Sequence, residues 1–314
     1  MAGARVIAFG LGPIGVGIAE VALEHGHQIV GAVDIDPAKV GRPLAAFVRG
    51  AGEVSVERAI DPLLNAGADV VLHSTQSRID QVMPQLVPLL DAGLNVISTC
   101  EELAYPWYHH PKEAALLDGL ARDRGARLVG VGINPGFVMD VLPVVLAAPC
   151  RRVERITVER VVDVNVRRLP LQRKVGVGLT AEAFRRGVQE GTIGHVGLPQ
   201  SVAMIAAALR WPLEAIEETI EPEMDAARAV RGLHQVCRGR QGGREVITLD
   251  LTMVADADRP RDVVRIEGTP PIAMEIAGGI PGDLATWAIV VNAIPRLLAS
   301  RPGLLIPTQL PAAT

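Results

Sequence analysis

Two adjacent glutamates, Glu101 and Glu102, follow Cys100 at the end of the apolar run Leu94-Asn-Val-Ile-Ser-Thr99. A carboxylate there can pair with an ammonium or an iminium, or take a proton from incoming ammonia. A second cluster lies near the start of the chain. Gly10, Gly12 and Gly15 are spaced G-x-G-x-x-G directly after the apolar run that begins at Val6, with Pro13 and Ile14 between them. Gly10 permits a tight turn, Gly12 lets the backbone approach a pyrophosphate, and Gly15 lets a helix pack close to a strand. The helix N-terminus offers N–H groups and a positive dipole end to the phosphates. Asp34 closes the next apolar run, Gln28–Val33, about 20 residues past the glycines, where the dinucleotide fingerprint has its acid. It would accept from ribose hydroxyls and repel a 2′-phosphate, which favours NAD over NADP. Lys39 and Arg42 follow. They either soften that preference or lie on an ordinary solvated face, the reading preferred here.

These residues need a scaffold, and residues 1–145 read as alternating strands and helices. Strands are expected at Val6–Gly10, Gln28–Asp34, Asp69–Ser74, Leu94–Thr99 and Arg127–Val131. Helices are expected from the glycine loop to about His25 and over Glu57–Asn65, Gln81–Ala92 and Lys112–Arg124. Such alternation predicts an α/β fold, a Rossmann doubly wound parallel sheet with helices on both faces. Ligands sit beyond the carboxyl ends of such strands. That rule selects the loops His73–Ser77, Ser98–Leu103 and Gly132–Phe137. His73, Ser74, Thr75, Cys100 and Asn134 become candidate cofactor contacts. A polar strand end (His73 to Thr75) and a plain β-turn (Asn134) are the alternatives. Thr99-x-x-Glu102 and Ser98-x-x-Glu101 also fit capping boxes, so one glutamate can cap while its neighbour points into a cleft.

Near Pro149 the pattern changes. Arg152–Val166 alternates in polarity, as a half-buried strand does. Further strands are expected at Arg244–Ala255 and Asp262–Glu267, and helices at Thr180–Glu190 and Leu198–Leu209. Residues 146–275 are expected to form a second α/β domain, for substrate and dimerisation, with a mixed or antiparallel sheet. Residues 276–314 are expected to return as a helix to the nucleotide domain, facing the cleft. Asn165, Arg168 and His195 are candidate substrate contacts here. The alternatives are a solvated basic face for Arg167, Arg168, Gln172 and Lys174 and a packing role for His195.

Composition bounds the partners. The chain has 314 residues, 49% hydrophobic and only 3% aromatic, with a net charge of −4. Few aromatics and a negative charge argue against nucleic acid. Cys100, Cys150 and Cys237 are scattered and form no C-x-x-C pair. Neither a metal site nor a disulfide framework is expected, and a reducing cytoplasm fits. No apolar run reaches the ~18 residues of a membrane span, and the early first strand leaves no room for a signal peptide.

At Cys100-Glu-Glu-Leu103 the chain resembles the native amine dehydrogenases and the related 2,4-diaminopentanoate dehydrogenases, within the group shaped like dihydrodipicolinate reductase. The resemblance covers nearly the whole chain. It is carried by Phe9–Gly15, Val33–Gly41, Ile97–Leu103, Gly132–Asp140 and Gly282–Thr286. It implies NAD(P)-dependent reductive amination of a small carbonyl by ammonia, the reverse oxidative deamination, and a homodimer. It makes a glutamate of this loop the catalytic group. In the wider fold a Cys-Glu-Lys-Pro loop carries its lysine where Glu102 stands, so Glu102 is the first choice and Glu101 the second. Phe137, Met139 and Thr286, within these motifs, join the candidate substrate contacts. The chain departs from dihydrodipicolinate reductase itself, because its only His-His pair, His109-His110, lies in the first domain. Trp287 follows Thr286 where a small residue is expected and would narrow the pocket.

The expected reaction adds ammonia to a small ketone or aldehyde between the domains, with Glu102 accepting a proton and the second domain excluding water. Two alternatives stand beside it. An imine or semialdehyde reductase of this fold would not need ammonia, and a nucleotide-sensing protein would not turn over at all.

Overall fold

A computed structural model describes residues 3–165 and 169–310 of the chain. It divides into two compact units, residues 1–136 with 281–314, and residues 137–280. The expected boundaries at 145/146 and 275/276 differ from these by one short helix and by the end of one strand.

The first unit begins with β1 (Arg5–Phe9), α1 (Pro13–Glu24), β2 (Gln28–Val33), β3 (Val56–Glu57) and β4 (Val70–His73). It continues with α2 (Ile79–Asp91), β5 (Asn95–Ser98), α3 (Pro111–Asp123) and β6 (Arg127–Gly130). These strands are short and buried on both faces, so they read as unbroken apolar runs. The region 57–65 is not the expected helix. Val56 and Glu57 pair with Ala32 and Val33 as a parallel edge strand, and only one 3₁₀ turn, Asp61–Leu63, follows. Pro62 lacks the N–H that a longer helix would need there.

The second unit holds α4 (Val141–Ala147), β7 (Arg152–Asp163), α5 (Leu169–Lys174), α6 (Ala181–Gln189) and α7 (Leu198–Leu209). Five long strands complete it with β7: β8 (Ala215–Met224), β9 (Val230–Gln241), β10 (Arg244–Val254), β11 (Arg261–Thr269) and β12 (Ile272–Ala277). Their order is β12-β11-β7-β10-β9-β8, antiparallel except for the parallel pair β7 and β10. This is the expected mixed sheet. Across its β11–β7 pair Arg160 and Asp262, partners in register, form an ion pair at 2.7 Å, each no more than 4% exposed. Both partners also hold the backbone of Ile280, Asp262 accepting its N–H and Arg160 donating to its carbonyl, each at 2.8 Å.

The chain then re-enters the first unit with α8 (Gly282–Leu298) and β13 (Gly303–Leu305). The parallel sheet is ordered β13-β6-β5-β4-β1-β2-β3. Residues of α2 and α3 (Leu86, Leu89, Leu117) fill one apolar core. Residues of α1 and α8 (Ile18, Val290, Ile294) fill another. Strand order reverses between β1 and its neighbours β2 and β4, the switch point at which such sheets bind ligands.

Trp287 packs against Gly17 of α1, where an added Cβ would come within 2.1 Å of the indole. Trp287 is itself half-buried, and the missing side chain of Gly17 leaves its ring the room to lie against α1. Among the described residues no helix is long and apolar enough to cross a membrane.

Candidate active site

The glycine loop follows β1 at the switch point. Gly10 has φ +93°, a left-handed conformation that L side chains avoid. An added Cβ there would lie 2.4 Å from the carbonyl oxygen of Ser74, and one on Gly15 would lie 1.8 Å from that of Gly10. Gly12 is different: nothing of the protein lies within 4 Å of its would-be Cβ. Gly10 and Gly15 serve the fold, whereas Gly12 keeps open the surface at the start of α1, with Pro13 as the first helical residue. The cradle fits a pyrophosphate. Gly12→Ala should leave the melting temperature of the ligand-free protein near the wild-type value while weakening NADH binding, read by fluorescence titration. Gly15→Ala should destabilise the fold itself.

Asp34, at the end of β2, is buried and turned onto this loop. Its Oδ2 accepts from Leu11 N–H at 2.7 Å and from Lys39 Nζ at 3.2 Å, and its Oδ1 accepts from Asp36 N–H at 2.8 Å. Burial alone would raise its pKa, but the Asp36 and Leu11 amides and Lys39 together hold it below the usual carboxylate value. Lys39 also donates to the Leu11 carbonyl at 3.0 Å. The preferred reading of Lys39 as a solvated bystander is therefore corrected: it ties the acid to the glycine loop. Arg42 stacks over Phe47, 4.8 Å from the ring centre.

His73 is fully buried and faces no solvent. Its Nδ1 lies 2.9 Å from Ser98 Oγ, which accepts from Cys100 N–H, and its Nε2 lies 2.6 Å from Gln85 Oε1. An amide oxygen only accepts, so Nε2 carries the proton and Nδ1 accepts from Ser98. Thr75 Oγ1 donates to the same Gln85 oxygen at 2.7 Å, and Ser74 Oγ donates to the Gly10 carbonyl at 3.0 Å. These groups brace the strand-end loops. Cys100 is buried too, its Sγ donating to the Ser77 carbonyl, and burial pushes its thiol pKa up.

Burial lowers the His73 pKa from 6.5 to about 4, while its bond to Gln85 acts the other way. Between those values the unfolded chain binds a proton that the native protein refuses. Stability is therefore full above pH 6.5 and falls as the pH drops toward 4, by on the order of 3 kcal/mol in all. The slope of melting temperature against pH in that window should flatten in His73→Gln.

Glu101 and Glu102 begin a single 3₁₀ turn, Glu101–Ala104, that follows β5. The expected helix start with a capping box is absent: the turn is short and the side chain of Cys100, its N-cap, makes no capping hydrogen bond to it. Glu102 caps a different helix. Its Oε2 accepts from the N–H of Ile79, first residue of α2, at 2.7 Å, an orphan donor next to the positive dipole end. Glu102 is 7% exposed, and its Oε2 also lies 3.2 Å from His110 Nε2. Glu101 is half-buried. His110 is a site residue that the sequence reading set aside, because adjacent histidines cannot form a paired ligand set.

The other candidates fall in several places. Asn134 is buried in the loop after β6, in the first unit. Thr286, also in that unit, is half-buried on α8. In the second unit Phe137 is half-buried, but Met139 is fully buried, a core position that offers no surface to a substrate. Asn165 is exposed and donates to Asp256 Oδ1 at 2.7 Å. The amide of buried Gln235 accepts from His195 N–H and donates to its carbonyl, both at 2.8 Å, and so fixes the backbone of this loop. Arg167 and Arg168 lie outside the described residues. Among the described residues no group of three or more His, Cys, Asp or Glu could hold a metal ion.

A glycine cradle at the switch point of a parallel sheet, with a carboxylate two strand-ends away, defines a dinucleotide-binding dehydrogenase. Comparisons narrow the class. Residues 137–314 match the family model of the 2,4-diaminopentanoate dehydrogenase C-terminal domain. The 2,4-diaminopentanoate dehydrogenase of Acetoanaerobium sticklandii is 34% identical, over 98% of this chain and 93% of its own length. An amine dehydrogenase of Streptomyces virginiae is 24% identical, over 97% and 95%. The solved amine dehydrogenase of Mycobacterium smegmatis has the same fold, with a TM-score of 0.88 at 22% identity over 99% of this chain and 97% of its own. The chain belongs to the 2,4-diaminopentanoate dehydrogenase family and is an oxidoreductase acting on amine donors.

Proposed function

We propose that the chain is an NAD(P)-dependent amine dehydrogenase that aminates small ketones or aldehydes with ammonia and catalyses the reverse oxidative deamination. The observation that carries this reading is Glu102, a carboxylate buried in the loop after β5 and held by the Ile79 amide. A bound nicotinamide supplies the hydride for amination and accepts it in deamination. Gly12 leaves room for the pyrophosphate, and the α1 N–H groups face its charge. Asp34 retains acceptor lone pairs for a ribose hydroxyl beyond the bonds it already makes. Glu102 takes a proton from the attacking ammonia or from the substrate ammonium; once that proton has passed on, to the departing hydroxyl as water in amination or to solvent in deamination, its restored negative charge stabilises the iminium. Glu101, half-buried beside it, is the second candidate for this role.

NAD is proposed as the better cofactor, since a 2′-phosphate would meet the Asp34 carboxylate. Asp34→Ser should raise kcat/KM for NADPH relative to NADH. A wild-type preference for NADPH would show that Lys39 outweighs Asp34.

A carboxylate next to the reacting carbon would sit close to Glu102, and like charges repel strongly in a dry site. Simple ketones and aldehydes are therefore proposed as better substrates than matching α-keto acids. The experiment follows NADH loss with a short ketone, an aldehyde and pyruvate, with and without ammonium. Loss of NADH only when ammonium is present, fastest with the ketone or aldehyde, supports the proposal. Loss without ammonium would make the protein an imine or semialdehyde reductase, and a clear preference for pyruvate would make it an amino-acid dehydrogenase. A homodimer and a cytoplasmic location complete the proposal, the first tested by light scattering and the second by fractionation of source cells.

A further inference from the structure

Oxidative deamination releases one proton per turnover. A substrate ammonium, NAD⁺ and water become the carbonyl, an ammonium ion and NADH, and one proton must reach the solvent. Glu102, the group proposed to collect it, is itself almost sealed from water at 7% exposure. The ring of His110 touches it, with Nε2 at 3.2 Å from Oε2, and the His110 side chain is 27% exposed. Its backbone is fixed at both ends: its N–H donates to the Pro106 carbonyl at 2.8 Å, and its carbonyl accepts from Ala114 N–H at 2.9 Å as α3 begins. His109 stands edge-on to the ring, with centres 6.3 Å apart, and itself lies against Tyr108. An imidazole can take a proton at one nitrogen and lose another from its second.

We propose that His110 relays the proton between Glu102 and solvent. The inference rests on the reading of Glu102 as the acid–base group. In deamination the substrate ammonium gives its proton to Glu102. The Glu102 carboxyl passes it to His110 Nε2, and His110 Nδ1–H yields a proton to water. In amination the same transfers run backwards. His110 touches neither substrate nor cofactor in this scheme, so it is a positioning and relay residue.

The test measures steady-state deamination of the amine that corresponds to the carbonyl aminated fastest in the panel above. Wild type, Glu102→Gln, His110→Ala and His110→Gln are compared, with melting temperatures as the check on folding. Both His110 variants should lose about tenfold or more in kcat, within the range of general acid–base effects. Their KM for amine and NAD⁺ should barely change. Added imidazole should restore much of the kcat of His110→Ala and none of that of Glu102→Gln. The solvent isotope effect on kcat should rise in His110→Gln, as proton transfer becomes limiting. Wild-type kcat in folded His110 variants would overturn the relay, as would a loss with neither imidazole rescue nor a changed isotope effect. An active Glu102→Gln would instead overturn the reading of Glu102, a result distinct from the failure of the relay alone.

Discussion

Glu102→Gln should lower kcat about 10²–10⁴-fold, the usual cost of losing a general base, while the melting temperature shifts only slightly. The two readouts separate because Glu102 has two roles that depend on different properties. Its bond to Ile79 needs an acceptor oxygen, and the glutamine amide still supplies one. What is lost at the α2 terminus is the charge–dipole attraction, roughly 0.3–1 kcal/mol. What is lost in the chemistry is the ability to hold a proton. Glu101→Gln is the control, because Glu101 is the half-buried partner in the same turn. A larger fall in Glu101→Gln would exchange the two roles. Near-normal turnover in both would leave Glu102 as a helix cap alone.

The largest effect on stability should come from the second unit. Asp262→Ala removes one half of a buried ion pair and leaves the Arg160 guanidinium almost without solvent. Breaking such a pair costs about 3–5 kcal/mol, because the buried guanidinium loses the Asp262 carboxylate while staying out of water. The Ile280 amide also loses its acceptor. Replacing both residues with apolar ones of similar size, as in Arg160→Met with Asp262→Leu, should cost less than the single change. Urea midpoints of the three proteins test this. Equal midpoints for Asp262→Ala and wild type would show that water reaches Arg160.

The nucleotide unit was largely legible in the sequence because its signals are local. A buried parallel strand is a continuous apolar run, and the glycines and Asp34 are read from spacing alone. The helices expected to end near His25, Ala92 and Arg124 end at Glu24, Asp91 and Asp123, and Gly26, Gly93 and Gly125 follow them in the left-handed conformation. The second sheet was legible only in part. β8 carries Glu217, Glu218 and Glu221, and β9 carries Arg231, Arg238 and Arg240, so neither has a clean apolar face. Arg240 pairs with Glu217 and Glu245, and Arg238 also reaches Glu245, so charges far apart in sequence become neighbours across strands. The same limit applies at the site. Nothing near Glu102 in the sequence announces Ile79, at the start of α2, and Lys39 gives no sign that it folds back to Leu11. His110 carries a weak signal, since it starts a helix eight residues past the glutamate, but its direction depends on the turn between them.

The parallel sheet is completed by a segment made only after the second unit. α8 and β13 come from the end of the chain, after the whole second unit has been inserted. Until then Ile18, Val70, Leu72, Ile97 and Val129 lack the side chains of Val290, Ile294 and Leu297 that cover them. On the ribosome the nucleotide unit must therefore wait, partly open on one face, while its insert is synthesised. A gene cut after Gly136 would yield an apolar, aggregation-prone fragment. A gene rearranged so that α8 is translated first, joined through a short linker to β1, would let that half fold as it emerges.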